Sequence, residues 1–336
     1  MGRSARREIP PSRPSFVACS EAGCRERAVV DQPYAGAHPC VAHFKASVVE
    51  RARRELHRQA PRLKGGTLAV GVSGGKDSGV ALTLVHRLLG QRRGIRLVAV
   101  TVDEGIEGYR SETLVEARRL CGSLGVEHVV RRFEEEVGST TDEAARRLPG
   151  EIPCSFCGVW RRKVLNRAAS DLGAVRLAMG FNLDDLAQTV LMNLARGEPG
   201  RLGQMSPHLE PQEGLVPRIA PLAMIPEREV YLYARLEGIP FDHAVCPHAS
   251  RAGRNVFREV LWQLEEAVPG TRHALLRTRE KLIPLLQEEG AIGSARPCAV
   301  CGEPSSNGTC RACAYRQALA SVAPRSFISA TGSGPA

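Results

Sequence analysis

Six residues constrain this chain more than any others: Ser73-Gly74-Gly75-Lys76-Asp77-Ser78. They follow an apolar run, Thr67–Ser73, that reads as a buried strand. They precede Ser78–Leu89, where Val80, Leu84 and Leu88 fall on one side of a helix. Glycines at such a turn let the backbone approach an anion closely. The free N–H groups at the helix start, aided by the helix dipole, then point at its oxygens. Lys76 adds a positive charge. Asp77 would repel an anion unless it faces a bound Mg2+ or caps the helix. The spacing is not that of a Walker loop, because GxxxxGK[ST] is absent. A plain glycine turn capped by serine is the bland reading, and it leaves the lysine and aspartate without a role.

The strand–helix alternation continues. Ile95–Val102, Glu127–Phe133 and Val175–Met179 read as strands, and 111–124 (capped by Ser111), 159–172 and 183–195 as helices. Alternation of this kind predicts right-handed crossovers and an α/β fold with a doubly wound parallel sheet covered on both faces. In such a sheet ligands sit beyond the carboxyl ends of the strands. The turn Gly180-Phe181-Asn182-Leu183-Asp184-Asp185 lies at such an end, as does the glycine loop, so Asp185 is a candidate to hold Mg2+ or position a nucleotide. By itself, the Asp184-Asp185 pair would merely favour a helix start. Residues 197–225 read as a long loop around a short strand at 215–220, and 227–237, 255–268 and 272–289 as helices.

Eleven cysteines punctuate the chain. Cys298-x2-Cys301-x8-Cys310-x2-Cys313 has the spacing of a zinc ribbon, in which four thiolates close a tetrahedral site. Near the other end, Cys19, Cys24, Cys40 and His43 supply a looser zinc set, with His38 a rival for the fourth position. Cys154-x2-Cys157 and a distant Cys246 remain. Three thiolates suit a 4Fe–4S cluster with one iron open. A zinc site lacking its fourth ligand, or a Cys154–Cys157 redox pair resolved by Cys246, are the alternatives. Cys121 sits among apolar helix neighbours and reads as a small core residue.

These groups divide the chain into a flexible arm (1–15), an N-terminal zinc finger (16–46), a nucleotide-binding catalytic domain with a helical C-terminal part (47–290), a C-terminal zinc ribbon (291–320) and a disordered tail (321–336). With 336 residues, 43% of them apolar, the chain can bury a real core, and it carries neither a membrane-spanning run nor a secretory h-region. Its net charge of +10 suits a polyanionic partner, and an arginine-rich genomic composition explains part of the excess.

Taken in order, the N-terminal finger, SGGKDS, PCSFCG followed by Arg161-Arg162, GFNLDD, LARGEPGRLGQ, the Cys246-Pro247 loop and the C-terminal ribbon resemble the tRNA 2-thiouridine synthetases of the TtcA/TtuA type, in the branch with two zinc fingers. SGGKDS itself resembles the PP-loop of the ATP-pyrophosphatase superfamily. The resemblance covers about residues 16–315. It implies that Ser73, Gly74, Gly75, Lys76, Asp77 and Ser78 bind ATP phosphates, with Asp77 near Mg2+. It further implies that Thr101 lies beside the adenine, that Arg161 takes the place of a basic residue near ATP, and that Gly180 and Asp185 line the nucleotide site. Cys154, Cys157 and Cys246 would hold the cluster, and two structural zinc ions the remaining sets. The implied catalytic residues are Lys76, Asp77, Arg161 and Asp185. The implied reaction adenylates O2 of a tRNA uridine and then replaces AMP by sulfur. Position 54 is slightly favoured over position 34 on the bacterial look of the composition. The implied sulfur donor is a ubiquitin-like carrier with a C-terminal thiocarboxylate, in a cytoplasmic protein, with a homodimer as the possible assembly. A PP-loop thiolase or adenylase acting on a small metabolite is the alternative. A non-enzymatic zinc-ribbon RNA-binding protein is a third reading, opposed by the intact loop. Three departures are visible: x4 rather than x2 between Cys19 and Cys24, Phe181 where histidine is common, and Arg161 where lysine is typical.

Overall fold

A computed structural model describes residues 17–61, 63–205, 207, 212–249, 253–290 and 296–322. The expected arm at 1–15 and nearly all of the expected tail at 321–336 lie outside the described residues. Two compact units are present, one ending at Val49 and one beginning at Glu50. The helix α1, Val41–Gln59, runs through the division.

In the second unit the elements follow as β1 (Gly66–Gly71), α2 (Lys76–Val85), β2 (Ile95–Asp103), α3 (Arg110–Leu124), β3 (Glu127–Arg132), α4 (Phe133–Val137), α5 (Thr141–Arg147), α6 (Pro153–Asp171), β4 (Ala174–Ala178), α7 (Leu183–Ala195), β5 (Arg218–Ile219), α8 (Glu227–Leu236), α9 (Arg254–Ala267) and α10 (Thr271–Glu288). The two-residue strands β6 (Arg296–Pro297) and β7 (Pro304–Ser305) and the helix α11 (Arg311–Ser321) complete it. Five strands pair in the order β3-β2-β1-β4-β5, all parallel. Leu68, Ala69 and Val70 are each fully buried, so consecutive side chains meet packing on both faces of the sheet, as the doubly wound reading requires.

Several expectations shift. The helix read at 159–172 begins six residues earlier, at Pro153, whose fixed φ suits the first helical position and whose missing N–H is not needed there. Both cysteines of the central CxxC therefore lie in the first turns of α6 rather than ahead of it. Ser111 does not cap α3: the helix starts at Arg110 behind Tyr109, without a side-chain cap. The strand read at 215–220 shrinks to Arg218–Ile219. Two short helices, α4 and α5, lie between β3 and α6 where the sequence pattern gives no helix.

The C-terminal cysteine group belongs to the second unit. Its helix α11 packs on α6, where the fully buried Trp160 donates its indole N–H to the Ala312 carbonyl at 3.1 Å and meets Tyr315 edge-on. Cys310 caps α11, its sulfur accepting from the Cys313 N–H at 3.4 Å. These four cysteines could hold a metal ion, and if they do, its removal should loosen α11 and expose Trp160. The expected result of chelation is a red-shifted tryptophan emission with a stability loss of roughly 3–5 kcal/mol, the scale of uncovering a large aromatic side chain. Trp262, already 49% exposed, contributes little to the shift.

Candidate nucleotide and thiol site

The glycine loop joins β1 to α2 at the carboxyl edge of the sheet. Its shape is held internally: the Ser73 N–H donates to Ser78 Oγ at 3.0 Å, and that hydroxyl donates to the Gly75 carbonyl at 3.0 Å. Gly75 occupies the N-cap of α2 and has no side chain to offer, so no side-chain cap covers the first N–H groups of the helix. Those donors are open to an anion. Gly74 has φ +87°, and a Cβ there would stand 1.9 Å from the Thr113 carbonyl oxygen. At Gly180, a Cβ would come within 2.9 Å of the Ser78 backbone. Glycine is therefore required at both turns because two backbones meet, and the second contact brings the 180–185 turn against the glycine loop.

Charges converge here. Lys76 Nζ lies 2.7 Å from Glu227 and 3.0 Å from Asp77. Burial alone would pull its ammonium down, but these two carboxylates outweigh it and raise its pKa. The other Asp77 oxygen accepts from the Asn182 amide at 3.0 Å. Asn182 and Asp185 form a reciprocal capping box at the start of α7. Burial, opposed by Arg254 and aided by Asp77, pushes the Asp185 carboxyl from 3.8 up to about 6. Asp77 and Asp185, two carboxylates beside an uncapped helix start, form a donor set suited to Mg2+ and phosphate together.

The shift at Asp185 has a consequence for stability. Between about pH 4 and 6 the unfolded carboxyl is ionised while the folded one keeps its proton, so stability falls as pH rises through that window and levels off above it. Asp185→Asn removes this slope. In urea melts, its stability relative to the wild type should climb by roughly 2–3 kcal/mol from pH 4 to 7.

Thr101 is fully buried and within 2.7 Å of both the Val72 carbonyl, to which it donates, and His128 Nε2. Its hydroxyl is thus engaged by these two partners. Arg161, half exposed, reaches Glu104 at 3.4 Å, and the buried Glu104 also pairs with Arg110 at 2.9 Å. Arg110 in turn donates to the Ser73 carbonyl at 2.9 Å, so Arg161 connects to the glycine loop through two intermediates. Sequence reasoning misses Glu104, Arg110, Glu227 and Arg254. Only the acidic Asp103-Glu104-Gly105 turn after β2 offers a local signal.

The central cysteines approach the same edge. Cys154 and Cys157 stand one turn apart at the start of α6, and the Cys154 thiol lies 3.5 Å from the His248 carbonyl in the segment that carries Cys246. That segment is tied at its other end to the glycine loop, the Asp242 N–H donating to the Gly74 carbonyl at 3.1 Å. His248 is anchored on Asp142 at 2.7 Å. Burial pushes the Cys157 thiol up to about 11, and it also raises Cys246, which feels Cys154 as well. The three are thus close enough to interact. Yet among the described residues only the two terminal groups bring three or more such ligands within 4.8 Å of one another. The three central sulfurs therefore form a wider triangle than either terminal group. One zinc ion, with Zn–S bonds of about 2.3 Å, needs sulfurs roughly 3.8 Å apart. A 4Fe–4S cluster takes each thiolate on a different iron and fits wider spacing.

The terminal groups have the tighter geometry. Cys24 and Cys40 sulfurs are 3.9 Å apart, and His43 Nδ1 lies 3.4 Å from Cys19 and 3.3 Å from Cys40, so the x4 spacing distorts nothing essential. His38 pairs with Asp31 at 3.1 Å and is not in the set. Cys301 and Cys310 sulfurs are 3.7 Å apart within the second group of four. Cys121 is buried in α3, away from both groups.

A parallel sheet with this loop at its carboxyl edge defines a nucleotide-binding PP-loop protein, and the model of the PP-loop domain matches residues 47–265. The tRNA 2-thiolation protein NcsA of Haloferax volcanii is 37% identical over 320 residues, 89% of this chain and 98% of that one. The cytoplasmic tRNA 2-thiolation protein 1 of Bos taurus is 35% identical, over 94% and 90% of the two chains. Among solved structures, the U34-tRNA thiolase NcsA from Methanococcus maripaludis with its 4Fe–4S cluster superimposes with a TM-score of 0.77 at 33% identity, covering 89% of this chain and 95% of that one. The chain belongs to the PP-loop family of tRNA 2-thiolation proteins.

Proposed function

We propose that the protein is an ATP-dependent tRNA-uridine 2-sulfurtransferase. The observation that carries this reading is the hydrogen bond from Asp242 to Gly74, which joins the thiol-bearing segment to the phosphate-binding turn. The α2 N–H groups and Lys76 hold the phosphates of ATP, with Mg2+ on Asp77 and Asp185. O2 of the uridine attacks the α-phosphate; an O2–P bond forms as the bond to pyrophosphate breaks. Lys76, Arg161 and the helix start offset the charge that builds on the phosphoryl oxygens. Sulfur then attacks C2, and the C2–O2 bond breaks with AMP as the leaving group. Adenylation is needed because a carbonyl oxygen leaves poorly. Cys154, Cys157 and Cys246 fit a 4Fe–4S cluster, which when bound supplies an open iron for a sulfur atom. The terminal groups hold structural zinc.

Among the targets, position 34 is supported by the solved relative described as a U34-tRNA thiolase, against the compositional leaning to position 54. The ubiquitin-like thiocarboxylate donor and a homodimer rest on the family resemblance. A cytoplasmic location agrees with the naming of the Bos taurus relative, and no described helix is long and apolar enough to cross a membrane.

The test is anaerobic reconstitution with iron and sulfide, followed by ATP, sulfide and total tRNA. Mass spectrometry should find 2-thiouridine at position 34. ATP–pyrophosphate exchange driven by a small metabolite in the absence of tRNA, with no thiolated tRNA, would support the metabolite adenylase instead.

A further inference from the structure

Behind the thiol helix lies a second basic feature that the reaction does not use. Three guanidinium groups from distant parts of the chain converge there: Arg162 on α6, Arg218 on β5 and Arg311 at the start of α11. They line a cleft of about 160 Å3, and Arg162 and Arg311 also line an adjoining one of about 440 Å3 that opens toward Arg201 and Ser306. The cationic neighbours are neutralised: Lys163 pairs with Glu303 at 2.9 Å and Arg201 with Glu198 at 3.0 Å. Among the described residues, no carboxylate lies within ion-pair distance of Arg162, Arg218 or Arg311. Among the described residues, Arg311 is steadied by the Tyr315 hydroxyl at 3.2 Å and the ring beneath it.

Like charges held together in a cleft raise the free energy of the empty protein. Arg162 is itself exposed, yet crowding by its neighbours, followed by repulsion from Arg218, Arg161 and Arg311, lowers its guanidinium. An anion would relieve that cost. Small solvent anions would do so weakly, whereas a polyanionic strand threading both clefts would engage all three forks at once. Arg311 directly follows the cysteine ligand Cys310, so the C-terminal four-cysteine group fixes one wall.

We infer that the cleft between α6 and the C-terminal cysteine module is a phosphodiester-binding site that grips the backbone of the tRNA through Arg162, Arg218 and Arg311. This rests on the proposed use of tRNA as substrate and adds the surface on which it lies. The C-terminal module thereby gains a role beyond its own fold, since it presents Arg311 opposite the other two.

The experiment measures tRNA affinity by fluorescence anisotropy across a salt series, using the full chain, for the wild type and for the Arg218→Gln/Arg311→Gln double variant. Loss of two phosphate contacts should weaken binding roughly tenfold or more and reduce the slope of log K against log salt by about two, while ATP affinity stays unchanged. Arg311→Lys should retain most of the slope, which separates charge from folding, and thermal melts report on the fold directly. Wild-type binding with an unaltered slope in the folded double variant overturns the cleft assignment and leaves the thiolase reading standing. Failure of the wild type to bind tRNA at all overturns both.

Discussion

Gly74→Ala should weaken nucleotide binding about a hundredfold. The residue sits at φ +87°, where an L side chain costs roughly 1–2 kcal/mol on its own. The greater penalty is steric. A methyl group 1.9 Å from the Thr113 carbonyl cannot be accommodated by a rotamer change, because the obstacle is the backbone of α3. The turn must move, and with it the orientation of the α2 N–H groups. A loss of roughly hundredfold in ATP affinity, about 2.7 kcal/mol, is the expected calorimetric result, with the far-ultraviolet circular dichroism of the sheet and helices retained. Affinity within threefold of the wild type would show that the phosphates bind elsewhere.

Cys246→Ser should separate the two halves of the reaction. The serine keeps the shape of the segment, including the Asp242–Gly74 and His248–Asp142 anchors, and removes one thiolate. ATP binding should stay within a few-fold of the wild type. Bound iron and thiolated tRNA should both fall by on the order of a hundredfold or more, since an open three-thiolate set has no spare ligand. Cys121→Ser is the control. That thiol is buried in α3, pushed up to about 11 by burial, and should leave thiolation intact. Full activity of Cys246→Ser would remove this thiol from the sulfur-handling site.

The parts of this site that can be read in the sequence are those whose chemistry is local. The SGGKDS loop carries its glycines, lysine and helix start within six residues, and each terminal cysteine group declares itself by spacing. What stays hidden depends on contacts between distant elements. Glu227 meets Lys76 across 151 residues, and Arg254 reaches Asp185 across 69. No periodicity encodes such pairs. The central CxxC falls just ahead of the helix read at 159–172, whereas in the fold Pro153 opens that helix. Thr101 shows the converse: its place at a strand end is legible, but the direction of its hydroxyl is set by Val72 and His128.

The bond between Asp242 and Gly74 carries one more implication. Activation of the base and supply of sulfur are chemically separate events, and an adenylated uridine left waiting in water would hydrolyse. In the proposed reaction the Gly74 turn holds triphosphate and the strap carrying Cys246 handles sulfur, and the Asp242–Gly74 hydrogen bond would let a shift in one reach the other without a relay domain. On that reading the interval between the two events would be kept short by this attachment, whichever sulfur source the protein meets.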